Sequence, residues 1–127
     1  HGPTGLLVIA EESRSQHENK AKALKRLRRA LFLHLRDAPP ADPANHPEFA
    51  PAAPGGRLDV SPKDARFWPA AGIVLDVLAD SDGQVSTAAD HLHTTTGNLT
   101  DFLASDPKLW QEANRVRIEC GLKPLRL

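Results

Sequence analysis

Residues 14–29 have the sequence RSQHENKAKALKRLRR, which joins a helix start to a strongly basic helix. Ser15 and Glu18 have the spacing of a capping box, in which the serine hydroxyl and the glutamate carboxylate satisfy backbone N–H groups of the first turn. The pattern predicts a helix from Ser15 to about Arg36 that ends before Pro39. Its apolar face is a stripe of leucines at spacings of three and four: Leu24, Leu27, Leu31 and Leu35.

Charge is unevenly distributed along the 127 residues, although the formal net charge is zero. Residues 1–36 contain eight Lys or Arg against three Glu, a net charge of +5, so the remainder carries −5. Such a segment suggests a polyanionic partner, and a solvated charged helix face is the alternative. Because aromatic residues are few, we expect any RNA contact to depend on phosphates and shape, not on base stacking.

A second motif, His1-Gly2-Pro3-Thr4-Gly5, precedes an apolar run at residues 6–9 that predicts a short strand. The two motifs together resemble the catalytic domain of class I peptide-chain release factors and their ribosome-rescue relatives. In that family a His-x-Pro-Thr-Gly turn and a strand are followed by Arg-Ser-Gln-x-x-Asn at the start of a basic helix. The resemblance covers about residues 1–36, and its matching positions are His1, Pro3, Thr4, Gly5, Arg14, Ser15, Gln16, Asn19, Lys20 and Ala23.

The resemblance implies a cytoplasmic translation factor whose partners are the ribosome, its large-subunit rRNA and peptidyl-tRNA. The intact protein would promote hydrolysis of the peptidyl-tRNA ester in termination or in ribosome rescue, with no metal and no cofactor. The residues expected to bind RNA are Arg14, Gln16, His17, Asn19, Lys20, Lys22, Lys25, Arg26 and Arg29.

The Gly-Gly-Gln loop that performs the chemistry in this family is absent from these residues. In the family its glycines let the backbone approach the tRNA 3′ end, and the glutamine N–H stabilises developing charge. Gly55-Gly56-Arg57 lacks the glutamine, and Asp82-Gly83-Gln84 lacks the second glycine. Since the chain begins with His1 and contains no Met, we expect that an upstream segment was lost; a catalytically inactive relative is the alternative. This chain alone is not expected to hydrolyse peptidyl-tRNA.

The predicted fold class is α+β, mostly helical, with three parts. Residues 1–37 are a partial release-factor catalytic domain, namely the strand and the long basic helix. Residues 38–60 are a Pro/Ala/Gly-rich linker, which is expected to be extended or disordered over 38–57. Residues 61–127 are a small helical bundle.

Four or five short helices are predicted in the bundle. Pro69 is expected to delay the main helix to about 70–80, and Ser86 is expected to cap the next one. The sequence Thr96-Gly97-Asn98 predicts a turn, and Asp106-Pro107 predicts the start of the last helix. Cys120 lies on the apolar stripe of that helix and is expected to be buried.

Two other functions remain open. The chain could be a non-catalytic RNA- or protein-binding module, and residues 85–104 have some features of a helix-turn-helix DNA-binding motif. The second helix of that motif is expected to carry Asp101 and Asp106 with no early Lys or Arg, so it would repel phosphates, and a plain helical packing unit is favoured over DNA binding. A metal site formed by His91, His93 and Cys120 is not expected, because their spacing is not that of metal ligands.

Overall fold

The structure is a computed structural model that describes residues 23–24, 26–27, 30–36 and 38–126. The chain forms two compact units, His1–Leu31 and Phe32–Leu127. The strand expected at residues 6–9 and the helix start at Ser15 lie outside the described residues. Within the described residues there is no strand, so this part is helical, whereas the sequence predicted α+β for the whole chain.

Residues 23, 24, 26, 27 and 30–34 are helical, so the basic helix ends at His34, close to the predicted end. The helical unit contains four α-helices joined by short turns, in agreement with the predicted bundle of short helices. They are α1 (Phe67–Asp80), α2 (Val85–His91), α3 (Thr96–Ala104) and α4 (Pro107–Glu119). Three 3-10 helices precede them: Pro43–Asn45, Ala50–Ala52 and Pro54–Gly56.

Helix α1 is the central helix of the core, because it is apolar on nearly every side. Ten of its residues are buried, from Phe67 to Leu78. It begins three residues earlier than predicted, since Pro69 lies in the first turn, where its missing N–H group has no helical partner to lose. Before it, the Asp64 carboxylate accepts hydrogen bonds from the backbone and guanidinium of Arg66, which lowers the pKa of Asp64 to about 2.

Helices α2 and α3 begin at other residues than the sequence predicts. Ser86 is not the cap of α2, because Val85, whose side chain is buried, already belongs to the helix. Thr95 caps α3 by accepting a hydrogen bond of 3.1 Å from the Asn98 N–H. The predicted turn Thr96-Gly97-Asn98 is therefore the first turn of α3.

Helix α4 begins as predicted. The Asp106 carboxylate accepts from the Lys108 and Leu109 N–H groups at 2.9 and 3.1 Å, and Pro107 follows at the first helical position. At the other end, Gly121 has φ +82° and closes the helix. Cys120 is exposed, so the expected burial is wrong: it follows the last helical residue and leaves the apolar face.

The proline-rich segment packs into the core, contrary to the expected extended or disordered connector. Residues 38–60 belong to the same compact unit as the four helices. The Phe49 and Ala52 side chains are 1% and 0% exposed, and Leu58 is also buried. Asn98 of α3 fastens this segment, since its amide accepts from the Leu58 N–H at 2.9 Å and donates to the Leu58 carbonyl at 3.0 Å.

No helix among the described residues is long and apolar enough to span a membrane.

Candidate nucleic-acid interface

One of the nine predicted RNA-binding residues is described by the structure. Arg26 is helical and its side chain is exposed, as an RNA-facing residue requires. Its neighbours at positions 24 and 27 are also helical, which agrees with the predicted basic helix. The other predicted residues lie outside the described residues, so their role stays a prediction: Arg14, Gln16, His17, Asn19, Lys20, Lys22, Lys25 and Arg29.

The predicted leucine stripe is not a buried face. Leu24, Leu31 and Leu35 are 39%, 42% and 60% exposed. The helix ends at His34, so Leu35 no longer continues its spacing. Leu33 is buried instead, and Phe32 packs against α1 where Gly72 has no side chain; a Cβ atom at residue 72 would lie 3.0 Å from the Phe32 ring.

A cluster of five charged or titratable side chains joins residues 34–36 to α1 and α4; we call it the charge cluster. At its centre is Glu112, which is 4% exposed. The Glu112 carboxylate binds the Arg115 guanidinium and lies 3.5 Å from both Arg36 Nη2 and His34 Nδ1. Arg36 Nη1 lies 3.3 Å from Asp76 Oδ1.

Opposite charges within the charge cluster favour the ionised form of Glu112. Burial alone would raise the pKa of Glu112, but the hydrogen bond from Arg115 and the positive charges of Arg115, Arg36 and His34 lower it below its usual value. The pKa of Arg36 is lowered from its ordinary value, because its burial outweighs the opposing effects of Asp76 and Glu112. A carboxylate whose pKa is lowered is not poised as a general base near neutral pH, so we assign the charge cluster a structural role.

Arg36 has two carboxylate partners within the helical unit. Arg36 is one of the eight basic residues at positions 1–36, but it is paired with carboxylates of the acidic remainder of the chain. It also donates to the Leu33 carbonyl, at the end of the helix. The sequence did not predict this role. One indication was present, because Glu112 lies on the same face of α4 as the apolar residues Leu109 and Val116, where a buried carboxylate needs a cationic partner.

The glycine turn at residues 55–57 and the histidines at positions 91 and 93 are exposed. Gly55 and Gly56 both have positive φ, in an exposed turn where Arg57 stands in place of a glutamine. His91 ends α2, and His93 follows it with φ +56°. Within the part of the chain that the structure describes, no three His, Cys, Asp or Glu side chains are arranged to hold a metal ion.

Curated proteins similar to this chain are bacterial peptide chain release factors 1. The protein from Erythrobacter litoralis is 54% identical over 37 residues, which is 29% of this chain and 10% of that protein. The one from Acidiphilium cryptum is 53% identical over 38 residues, 30% of this chain and 11% of that protein. The one from Syntrophobacter fumaroxidans is 61% identical over 36 residues, 28% of this chain and 10% of that protein.

The chain thus contains a segment of the release-factor family. It spans about one tenth of the length of these relatives. No protein-family model matches the chain, and no solved structure matches it.

Proposed function

We propose that this chain carries an RNA-facing part of a release-factor-type translation factor that acts on the ribosome in the cytoplasm. The observation that carries the proposal is the identity of 53–61% to release factors 1 over 36–38 residues. That length equals the extent of the motifs in residues 1–36. We assign residues 1–37 to the release-factor-like segment. Residues 61–127 form a helical domain with a separate function.

In this proposal the basic helix neutralises phosphates of the large-subunit rRNA. Arg26 and the Lys and Arg residues around it supply positive charge without aromatic side chains, so binding weakens steeply with salt. The hydrolytic step on peptidyl-tRNA requires a Gly-Gly-Gln loop, which residues 1–127 do not contain. This chain supplies binding and orientation.

Charge reversal tests the ribosome contact. The variant Lys22→Glu, Lys25→Glu, Arg26→Glu should lose ribosome co-sedimentation at about 0.1 M salt, because three cations of the basic segment become anions. Co-sedimentation equal to that of the unmodified chain would remove the RNA-facing assignment.

The matched control reverses three exposed cations of the helical unit, Arg57, Lys63 and Lys108. It changes the net charge by the same amount and should sediment with ribosomes as the unmodified chain does. A loss in the control as well would indicate a non-specific effect of net charge.

The second candidate is a non-catalytic RNA- or protein-binding module, which the self-contained core of the helical unit favours. Reading the coding sequence upstream of His1 separates the two. A Gly-Gly-Gln codon run in frame within a few dozen codons supports the release factor, and an initiation codon without such a run supports the binding module. A DNA-binding role for α2 and α3 is weaker, because α3 exposes Asp101 and has no Lys or Arg. Tighter binding to duplex DNA than to ribosomes at equal salt would favour it.

A further inference from the structure

The residues after α4 fold back along that helix. The Leu122 N–H donates to the Arg117 carbonyl at 2.9 Å, which closes the end of α4 after Gly121. The Leu125 N–H donates to Asn114 Oδ1 at 2.6 Å, and the Leu125 side chain packs against the core. The segment is therefore fixed on the helical unit by a hydrogen bond and by apolar contact.

A groove lies beside this segment; we call it the C-terminal groove. Arg117 fixes its wall, because Nε donates to the Lys123 carbonyl at 3.0 Å and Nη1 donates to the Gly83 carbonyl at 2.7 Å. Its volume is about 640 Å³, within the range of small-ligand sites. The lining residues are Arg117, Lys123, Pro124, Leu125 and Arg126.

The C-terminal groove concentrates positive charge, and no carboxylate among the described residues is paired with it. Three of its five lining residues are cationic and none is acidic. The ion pairs found among the described residues use other cations, and none joins Arg117, Lys123 or Arg126 to a carboxylate. Lys123 and Arg126 are exposed. The groove therefore suits an anion that comes from solution.

We propose that the C-terminal groove binds the phosphodiester backbone of RNA, as a second RNA contact besides the basic helix. Pro124 has no N–H group and the Leu125 N–H is already bonded to Asn114, so neither residue can donate to the backbone of an acidic peptide. The groove therefore offers cationic side chains next to apolar side chains. The cations can contact the phosphates of RNA, and the apolar surface can contact its riboses. The choice of RNA over other polyanions rests on the proposed function.

The test uses the full chain and a fluorescein-labelled U12 oligonucleotide in an anisotropy titration. The variant Lys123→Glu, Arg126→Glu should bind at least about tenfold more weakly at 0.1 M salt, and the slope of log K against log salt should fall by roughly 1.4, the value for two lost phosphate contacts. The matched control, Lys63→Glu, Lys108→Glu, reverses two exposed cations outside the groove and should bind as the unmodified chain does.

Three outcomes would overturn the groove assignment. They are unchanged binding of the groove variant, an equal loss in the control, and displacement of U12 by an equimolar poly-glutamate peptide of the same charge.

Ribosome co-sedimentation distinguishes failure of the groove assignment from failure of the proposed function. If the basic-helix variant loses ribosomes while the groove variant binds U12 normally, the groove assignment fails and the proposed function stands. If the unmodified chain binds U12 through the groove but does not sediment with ribosomes, the proposed function fails and the groove assignment stands.

Discussion

Glu112 occupies a position of α4 where helical spacing calls for an apolar side chain. It lies between Leu109 and Ala113 on the inner face, and it is buried with them. A buried carboxylate needs cationic partners. Arg115 could be read from the sequence, because it is three residues away on the same helix. Arg36 could not, since it is 76 residues away and only the fold brings it there.

Replacing Glu112 by Ala should lower the free energy of unfolding by about 2–4 kcal/mol, because Arg36 is then left half-buried with one of its two carboxylates removed. Urea denaturation followed by circular dichroism measures the change.

Glu119→Ala is the control for this substitution. Glu119 binds the same Arg115 but on the exposed side, where an ion pair contributes only about 0–1 kcal/mol. Equal losses for the two variants would mean that burial adds nothing to the charge cluster.

Stability should fall in acid through Glu112. Because its pKa in the folded protein is below the ordinary value of 4.5, its contribution is complete above about pH 4.5 and is lost as the pH falls through the folded-state pKa. The difference in unfolding free energy between the unmodified chain and Glu112→Gln should therefore shrink from pH 6 to pH 3. A difference that stays constant to pH 3 contradicts the lowered pKa.

At the scale of the elements, local sequence patterns predicted the helix start that depends only on neighbouring residues. The start of α4 depends on adjacent residues, because Asp106 caps the helix and Pro107 follows directly. The structure confirms this predicted start. Ser86 carries an equally good capping side chain, but the helix begins one residue before it, at Val85, whose side chain is buried. Capping preferences of about 1 kcal/mol are smaller than the burial of one large apolar side chain.

The proline-rich segment shows what composition does not reveal. Its prolines and glycines disfavour α-helix, and it forms three 3-10 helices instead. Its few apolar side chains are buried, because the helical bundle offers a site for Phe49 and a hydrogen-bonding partner in Asn98. Average composition predicts disorder, whereas two well-placed contacts determine the structure.

Asn98→Ala should destabilise the protein by about 2–4 kcal/mol, since it leaves the buried N–H and carbonyl of Leu58 without their partner. Thermal and urea denaturation measure the loss.

The control is Asn45→Ala. Asn45 makes an exposed side-chain hydrogen bond of 2.8 Å to Asp42, and its removal should cost less than about 1 kcal/mol. A small effect of Asn98→Ala would mean that the proline-rich segment is not fastened to α3.

At the scale of the whole molecule, the sequence predicted a helical second half and a basic first part, but not how far the helical unit extends. That unit begins at Phe32, because Phe32, Leu33 and Arg36 contact α1 or α4. Such contacts between distant residues depend on shape, here the missing side chain of Gly72, and one sequence does not show them. The nine predicted RNA-binding residues were inferred from motif and charge, and Arg26 is the one whose exposure the structure describes.

Phe49→Ala tests whether the proline-rich segment shares the core. Loss of a fully buried phenylalanine should cost about 3–5 kcal/mol and lower the midpoint of the whole unfolding transition. The exposed neighbour Glu48 serves as the control, and Glu48→Ala should stay within about 0.5 kcal/mol. If Phe49→Ala leaves the transition unchanged, the segment behaves as a detached linker.

The exposure of Cys120 has a practical consequence. It is the single thiol of the chain, and it lies at the end of α4, three residues before Lys123. A maleimide dye will therefore attach at one defined position beside the C-terminal groove, without any engineered cysteine. Because the same thiol is accessible to oxidants, preparations need a reductant before their mass in solution is interpreted.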